Sequence, residues 1–177
     1  MTDPAPYRVL VVCTGNICRS PMGEVVLRER LREAGLEGAV AVASGGVSDE
    51  ERGNPIDARA RSVLVERGYD PHVHSAHRVE EEELATYDLV LAMTTEHARV
   101  LRRRARAMPG AAEIRLWREF DATAPRLADG AAEHHLDVPD PWYGGREGFY
   151  DTLEVVERGA LGVLDHVRER LGVSPRP

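Results

Sequence analysis

The chain has no lysine: all 23 of its basic side chains are arginine. Beside so much alanine and glycine, that bias reads as genome composition rather than as a function. Cysteine is scarce as well, with two in 177 residues, and Cys13 and Cys18 stand five apart. A pair that close cannot staple a domain, which excludes a disulfide-built secreted scaffold and points to a reducing compartment. No uninterrupted apolar run exceeds about six residues, far short of the roughly twenty a bilayer-spanning helix needs, so no membrane segment is expected. Met1 to Arg8 lacks a charged-then-apolar leader, and the expectation is a cytoplasmic protein, with leaderless export left open. Positive charge is in deficit, at a formal net of -7. That excludes a general nucleic-acid or anionic-membrane binder and makes any basic site local.

With 42% apolar and 30% charged residues, the chain reads as one soluble domain over residues 1–177, with disordered tails at 1–6 and 173–177. Its organising stretch is Val11-Val12-Cys13-Thr14-Gly15-Asn16-Ile17-Cys18-Arg19-Ser20-Pro21-Met22. Residues 8–12 read as a strand covered on both faces, and Ser20-Pro21 as an N-cap and first helical position, so Cys13 ends the strand. A loop closing onto a helix N-terminus aims backbone N–H groups at one spot and adds the positive end of the helix dipole. Thr14, Gly15, Asn16, Ile17, Cys18 and Arg19 would then form an anion cradle. Cys13 beside it ionises more easily, the Arg19 fork can hold two phosphate oxygens, and the Ser20 hydroxyl can donate to the Cys13 sulfur.

Downstream, apolar patterning predicts a helix over 21–34 and a strand over 39–43 that reaches a turn at Ser44-Gly45-Gly46. If the strands are parallel, that turn lies at the same sheet end as Cys13. A helix over 56–67 follows, then His72, His74 and His77 close together. No metal is expected there, because no carboxylate or thiolate lies at ligand spacing. Glu80 to Glu83 reads as one exposed helical turn, 89–93 as a strand, and Thr94 as the cap of an arginine-rich helix reaching 106. A strand over 113–117, a long loop over 121–137 and a closing amphipathic helix carrying Phe149, Leu153, Val156, Ala160, Val163, Leu164, Val167 and Leu171 complete the order. Strand and helix alternate, which predicts an α/β fold: a four-stranded parallel sheet flanked by helices on both faces, with a phosphate loop after its first strand.

Cleaving a phosphate monoester also needs a proton donor for the departing oxygen. Asp140 is the candidate: Pro141 holds it extended, and Trp142 with Tyr143 can wall a slot for an aromatic ring.

The Cys-x5-Arg-Ser loop with Asn16 inside it, and the Asp-Pro-aromatic-Tyr-Gly string at 140–144, resemble the low-molecular-weight protein tyrosine phosphatase family, over essentially the whole chain. The resemblance implies a Cys13 nucleophile, a phosphocysteine intermediate, Arg19 as phosphate clamp, and Asp140 as general acid and then base. It further implies a network of Asn16, Ser44 and His74 that holds the loop open. Cys18 would be a redox partner of Cys13, and Ile17, Trp142 and Tyr143 would line the substrate slot. The implied substrate is a phosphotyrosine protein, with no cofactor or metal, no nucleic acid or membrane partner, and a monomer or weak dimer. Three departures stand out: Glu50 replaces an aromatic slot wall, Thr94 replaces a carboxylate, and the 121–137 loop is long. Alternatives are a protein arginine phosphatase, which typically carries Thr at the position of Ile17, an arsenate reductase, and a non-catalytic phosphate-binding regulator.

Overall fold

β1 (Tyr7–Cys13) divides its side chains between two buried surfaces, Val9, Val11 and Cys13 on one and Leu10 and Val12 on the other. A strand apolar on both sides needs a neighbour on each edge and helices on each face. In the computed structural model, which describes residues 5–106, 108–110 and 112–174, it has both. The sheet runs β2-β1-β3-β4, all parallel, with β2 at Val40–Gly46, β3 at Leu89–Ala92 and β4 at Glu113–Leu116. α1 (Arg19–Glu33), α2 (Ala58–Glu66) and the closing α5 (Arg146–Leu171) cover the first face. The short α3 (Glu81–Leu84) and α4 (Thr95–Ala105) cover the second. The expected α/β architecture is therefore present. Because β1 has β2 on one side and β3 on the other, the chain leaves it in opposite directions and opens a crevice beyond Cys13.

Several boundaries differ from expectation for definable reasons. Helix α1 starts at Arg19, so Ser20 lies inside its first turn and is not the N-cap. Its hydroxyl is engaged by Asn16, Cys13 and the Gly45 carbonyl instead. Pro21 is tolerated there because first-turn N–H groups have no partner within the helix. The turn expected at Ser44-Gly45-Gly46 is strand, since β2 stays paired up to Cys13 opposite Gly46. Asp57, whose carboxylate accepts from Arg59 N at 2.8 Å, delays α2 by two residues relative to the 56–67 reading.

The 121–137 segment is not featureless. It carries 3-10 turns at Leu127–Asp129 and Glu133–Leu136, and both ends are pinned by carboxylates. Buried Asp121 meets Arg118 and Arg158, while Asp137 Oδ1 accepts from Thr95 N at 2.7 Å at the start of α4. Val138 N then donates to Met93 O, tying the chain just before Asp140 to the end of β3. Of the tails expected at 1–6 and 173–177, residues 5, 6, 173 and 174 are exposed and outside any element, and the others lie outside the described residues.

Candidate active site

The crevice beyond β1 holds a cavity of about 260 Å³ lined by Cys13, Thr14, Gly15, Ile17, Cys18, Arg19, Glu50, Glu51, Asp140, Trp142 and Tyr143. These come from five separate places: the end of β1, the β1–α1 loop, the first turn of α1, the segment after β2, and the turn before α5. Cys13, fixed by the last rungs of β1, puts its Sγ 3.0 Å from Ser20 Oγ. That hydroxyl also accepts from Asn16 Nδ2 at 2.9 Å and lies 3.2 Å from the Gly45 carbonyl. Its single proton can go to the carbonyl when Cys13 is a thiol and to the sulfur when Cys13 is a thiolate.

Asn16 holds the loop's shape. Its φ of 61° is positive, in a region L residues avoid. Every polar group of its side chain is used to keep it there: Nδ2 donates to Ser20 Oγ and, at 3.0 Å, to Ser44 Oγ, while Oδ1 accepts from His77 N at 3.2 Å. Its backbone carbonyl accepts from His74 Nε2 at 2.6 Å. The structure thus brings Asn16, Ser44 and His74 together. It also adds a group that spacing does not reveal, since Ser44 Oγ donates to Glu24 Oε2 at 2.5 Å, and Glu24 is buried.

Arg19 is 5% exposed and held from outside its own helix, with Nη1 donating to Val138 O at 3.2 Å and Nη2 to Asp140 Oδ2 at 2.9 Å. Asp140 Oδ1 meanwhile accepts from Trp142 N, so the Asp-Pro turn aims one carboxylate oxygen at the arginine and caps itself with the other. Trp142 is half-exposed with the Arg59 guanidinium 5.3 Å from its ring centre, and Tyr143 stands almost wholly free. Glu50 is exposed and lines the same cavity as Trp142 and Tyr143. Burial pushes the Cys18 thiol up, with nearby Asp57, Cys13 and Asp140 adding to it, so Cys18 resists ionisation.

Three contributors are absent from the sequence reading. Glu24 lies behind Ser44. Arg59 lies across Trp142 and Phe149. His97 lies on the first turn of α4, with Nε2 2.9 Å from Thr14 Oγ1 and Nδ1 3.0 Å from Thr94 Oγ1. A signal for His97 did exist: a histidine three residues after the capping Thr94, on a helix that starts at the crevice end of the sheet.

The histidine cluster divides. His77 turns to Glu83, whose hydrogen bond raises its pKa. His72 turns to Glu24, the carboxylate that sequence spacing does not offer, and a ring nitrogen of His74 lies within 4.8 Å of both. The expectation that no carboxylate is in reach is therefore corrected: the ligand-type neighbour comes from α1 rather than from nearby sequence.

Residues 8–172 match the family model for low molecular weight phosphotyrosine protein phosphatase. A low molecular weight protein-tyrosine-phosphatase of Streptomyces coelicolor is 44% identical over 93% of this chain and 96% of that protein. A low molecular weight protein-tyrosine phosphatase A of Mycobacterium tuberculosis is 43% identical over 97% of this chain and 96% of its own. Among solved structures, YfkJ of Bacillus subtilis superposes with a TM-score of 0.83 at 27% identity, covering 96% of this chain and 99% of that one.

Proposed function

The chain belongs to the low molecular weight phosphotyrosine protein phosphatase family, and from that premise we propose that it hydrolyses phosphotyrosine in proteins through a phosphocysteine intermediate. It is a phosphoric monoester hydrolase. The observation that carries the site assignment is the Arg19–Asp140 pair at 2.9 Å beside a Cys13 sulfur already in contact with a hydroxyl.

The cycle follows from those contacts. A phosphate dianion enters against the loop N–H groups and takes the Arg19 fork, for which two negative oxygens compete better than one carboxylate oxygen. Asp140, displaced from Nη2, takes up a proton from solvent and is left as the carboxylic acid beside the departing oxygen. Cys13 thiolate attacks phosphorus in line, the amides of Thr14 through Arg19 and the guanidinium take the equatorial charge, and Asp140 protonates the leaving phenol. Asp140 then acts as base toward the water that hydrolyses the phosphocysteine, and Ser20 donates to the departing thiolate. Ile17 and Trp142 flank a slot suited to a flat ring. Ile17, where arginine phosphatases typically carry Thr, favours a phenyl phosphate over a phosphorylated guanidinium.

Cys18, neutral and five residues from Cys13, suits the role of a resolving thiol that closes a reversible disulfide once Cys13 is oxidised. The two buried clusters share one sheet, which supports a single domain over residues 1–177. Apart from the adjacent Trp142 and Tyr143 at the site mouth, the exposed large apolar side chains among the described residues, Val65, Val73, Leu161 and Val173, sit on separate segments, which supports a monomer or weak dimer. No helix among the described residues is long and apolar enough to cross a membrane. The cytoplasmic assignment is supported by the two free thiols.

Steady-state hydrolysis of p-nitrophenyl phosphate and a phosphotyrosine peptide, beside phosphoarginine and arsenate with a thiol donor, tests this reading. Phosphotyrosine turnover lost in Cys13→Ser is the expected result. Turnover retained in that variant would overturn it, and silence on all four substrates with phosphate still bound would favour a regulator.

A further inference from the structure

We propose that Glu24, His72 and His74 form a binding site for a divalent transition metal of the zinc class, directly behind the phosphate loop. A carboxylate oxygen of Glu24 and one ring nitrogen of each histidine lie within 4.8 Å of one another. The Glu24 Oε1 to His72 Nε2 separation is 3.2 Å. Two ligands each about 2.0–2.1 Å from a tetrahedral zinc lie about 3.3 Å apart, so this edge is already at ligand spacing. Two imidazoles and a carboxylate form a donor set that zinc and cobalt accept and that leaves one position for water.

The surroundings prepare the histidines as ligands. His74 Nε2 donates to the Asn16 carbonyl, which leaves Nδ1 as the ring nitrogen for a metal, and this outer hydrogen bond orients the ring as in known metal-binding histidines. His72 bridges to Glu24 through its Nε2, and a metal taking that nitrogen leaves the ring's proton on Nδ1. Access exists through a cavity of about 480 Å³ lined by Val42, Arg28, Asp70 and His72, where Asp70 adds a further carboxylate.

Arg28 opposes binding. Its Nη2 lies 2.9 Å from the same Glu24 Oε1, and an incoming ion must displace it. The side chain is 47% exposed and also donates to the Val42 carbonyl, so it can leave the carboxylate without becoming buried and unpaired. Occupancy reaches the phosphate loop through Glu24 Oε2, Ser44 and Asn16.

Titrating the full, reduced protein with Co²⁺, and with Zn²⁺ against a chromophoric chelator, tests the proposal without any reading of turnover. The expected result is one ion per chain, with a cobalt spectrum of nitrogen and oxygen ligands and no sulfur charge-transfer band. His72→Ala should weaken binding at least tenfold while leaving chelator-treated hydrolysis of p-nitrophenyl phosphate and the circular dichroism spectrum unchanged. Arg28→Ala should tighten binding severalfold. A sulfur band would place the ion on Cys13 and Cys18. Affinity indifferent to His72→Ala, or no binding up to millimolar metal, would equally overturn the proposal.

Discussion

Thr14, the first residue after the Cys13 sulfur, and His97, on the first turn of α4, meet at 2.9 Å between Oγ1 and Nε2. The other ring nitrogen of His97 reaches Thr94 Oγ1. The imidazole thus ties the phosphate loop to the helix start after β3. This also resolves the substitution at Thr94: the threonine supports the loop through a buried histidine rather than by a charge.

His97 is buried, and that burial, with Arg19 nearby adding to it, pushes its pKa down to about 4. An unfolded chain binds the proton near 6.5, so between those values the unfolded state carries more protons. Stability from a neutral His97 is therefore present above about pH 6.5 and is lost as pH falls through about 4, by up to about 3 kcal/mol. Urea denaturation at pH 7, 5 and 4 should show this decline, and His97→Asn should flatten it. At pH 7 the same variant should raise KM for an aryl phosphate more than it lowers kcat, because the change loosens Thr14 without touching the sulfur.

Asn16 separates strain from hydrogen bonding. Asn16→Ala and Asn16→Gly both lose the bonds to Ser20, Ser44 and His77 N, but only Ala meets the steric cost of φ 61°. That cost is roughly 1–2 kcal/mol. Gly should therefore be the more stable variant by about 1 kcal/mol in chemical denaturation, with both weaker than the parent in phosphate binding. Equal stabilities would mean that the loop is not strained at this residue.

Asp140→Asn tests the ion pair and the proton donor together. The variant should lower kcat for a phenol of high pKa about 10² to 10⁴-fold, the usual range for a lost general acid. A phenol that leaves without help should be affected far less. Because Arg19 Nη2 no longer faces a carboxylate, inorganic phosphate should inhibit the variant more tightly than the parent. Weaker inhibition would mean that Asp140 helps to position Arg19 for phosphate rather than competing for it.

The fold was legible because its signals are local. β1 is apolar on both faces, glycines or proline punctuate most helices, and the α5 stripe recurs at helical spacing. Cys13, Arg19 and Asp140 were legible because they sit in short strings whose residue types the chemistry requires. What escaped depends on contacts across the sheet. Glu24 is 20 residues from Ser44, and His97 is 83 from Thr14, distances at which no sequence pattern reports proximity. The 121–137 segment escaped for a related reason: its order comes from Asp121 and Asp137 bonding to other elements, not from any periodicity.

Gly46 shows how closely β2 supports the loop. A Cβ added there would stand 2.5 Å from the Thr14 carbonyl oxygen, 3.2 Å from Ser48 O and 3.3 Å from Asn16 N. All three neighbours are backbone, two of them in the phosphate loop, so no side chain can rotate away to make room. Gly46→Ala should then cost about 1–3 kcal/mol of stability, the usual range for overpacking. It should also weaken phosphate binding beyond what that loss alone explains, since the relief available is to push Thr14 and Asn16 toward the ligand. Gly38 is the control, with nothing within 4 Å of its added Cβ. Gly38→Ala should be neutral or slightly stabilising, through the unfolded state. If Gly46→Ala kept the parent's phosphate affinity while losing stability, the strand would give way instead of the loop, and β2 would not be what sets the position of Thr14.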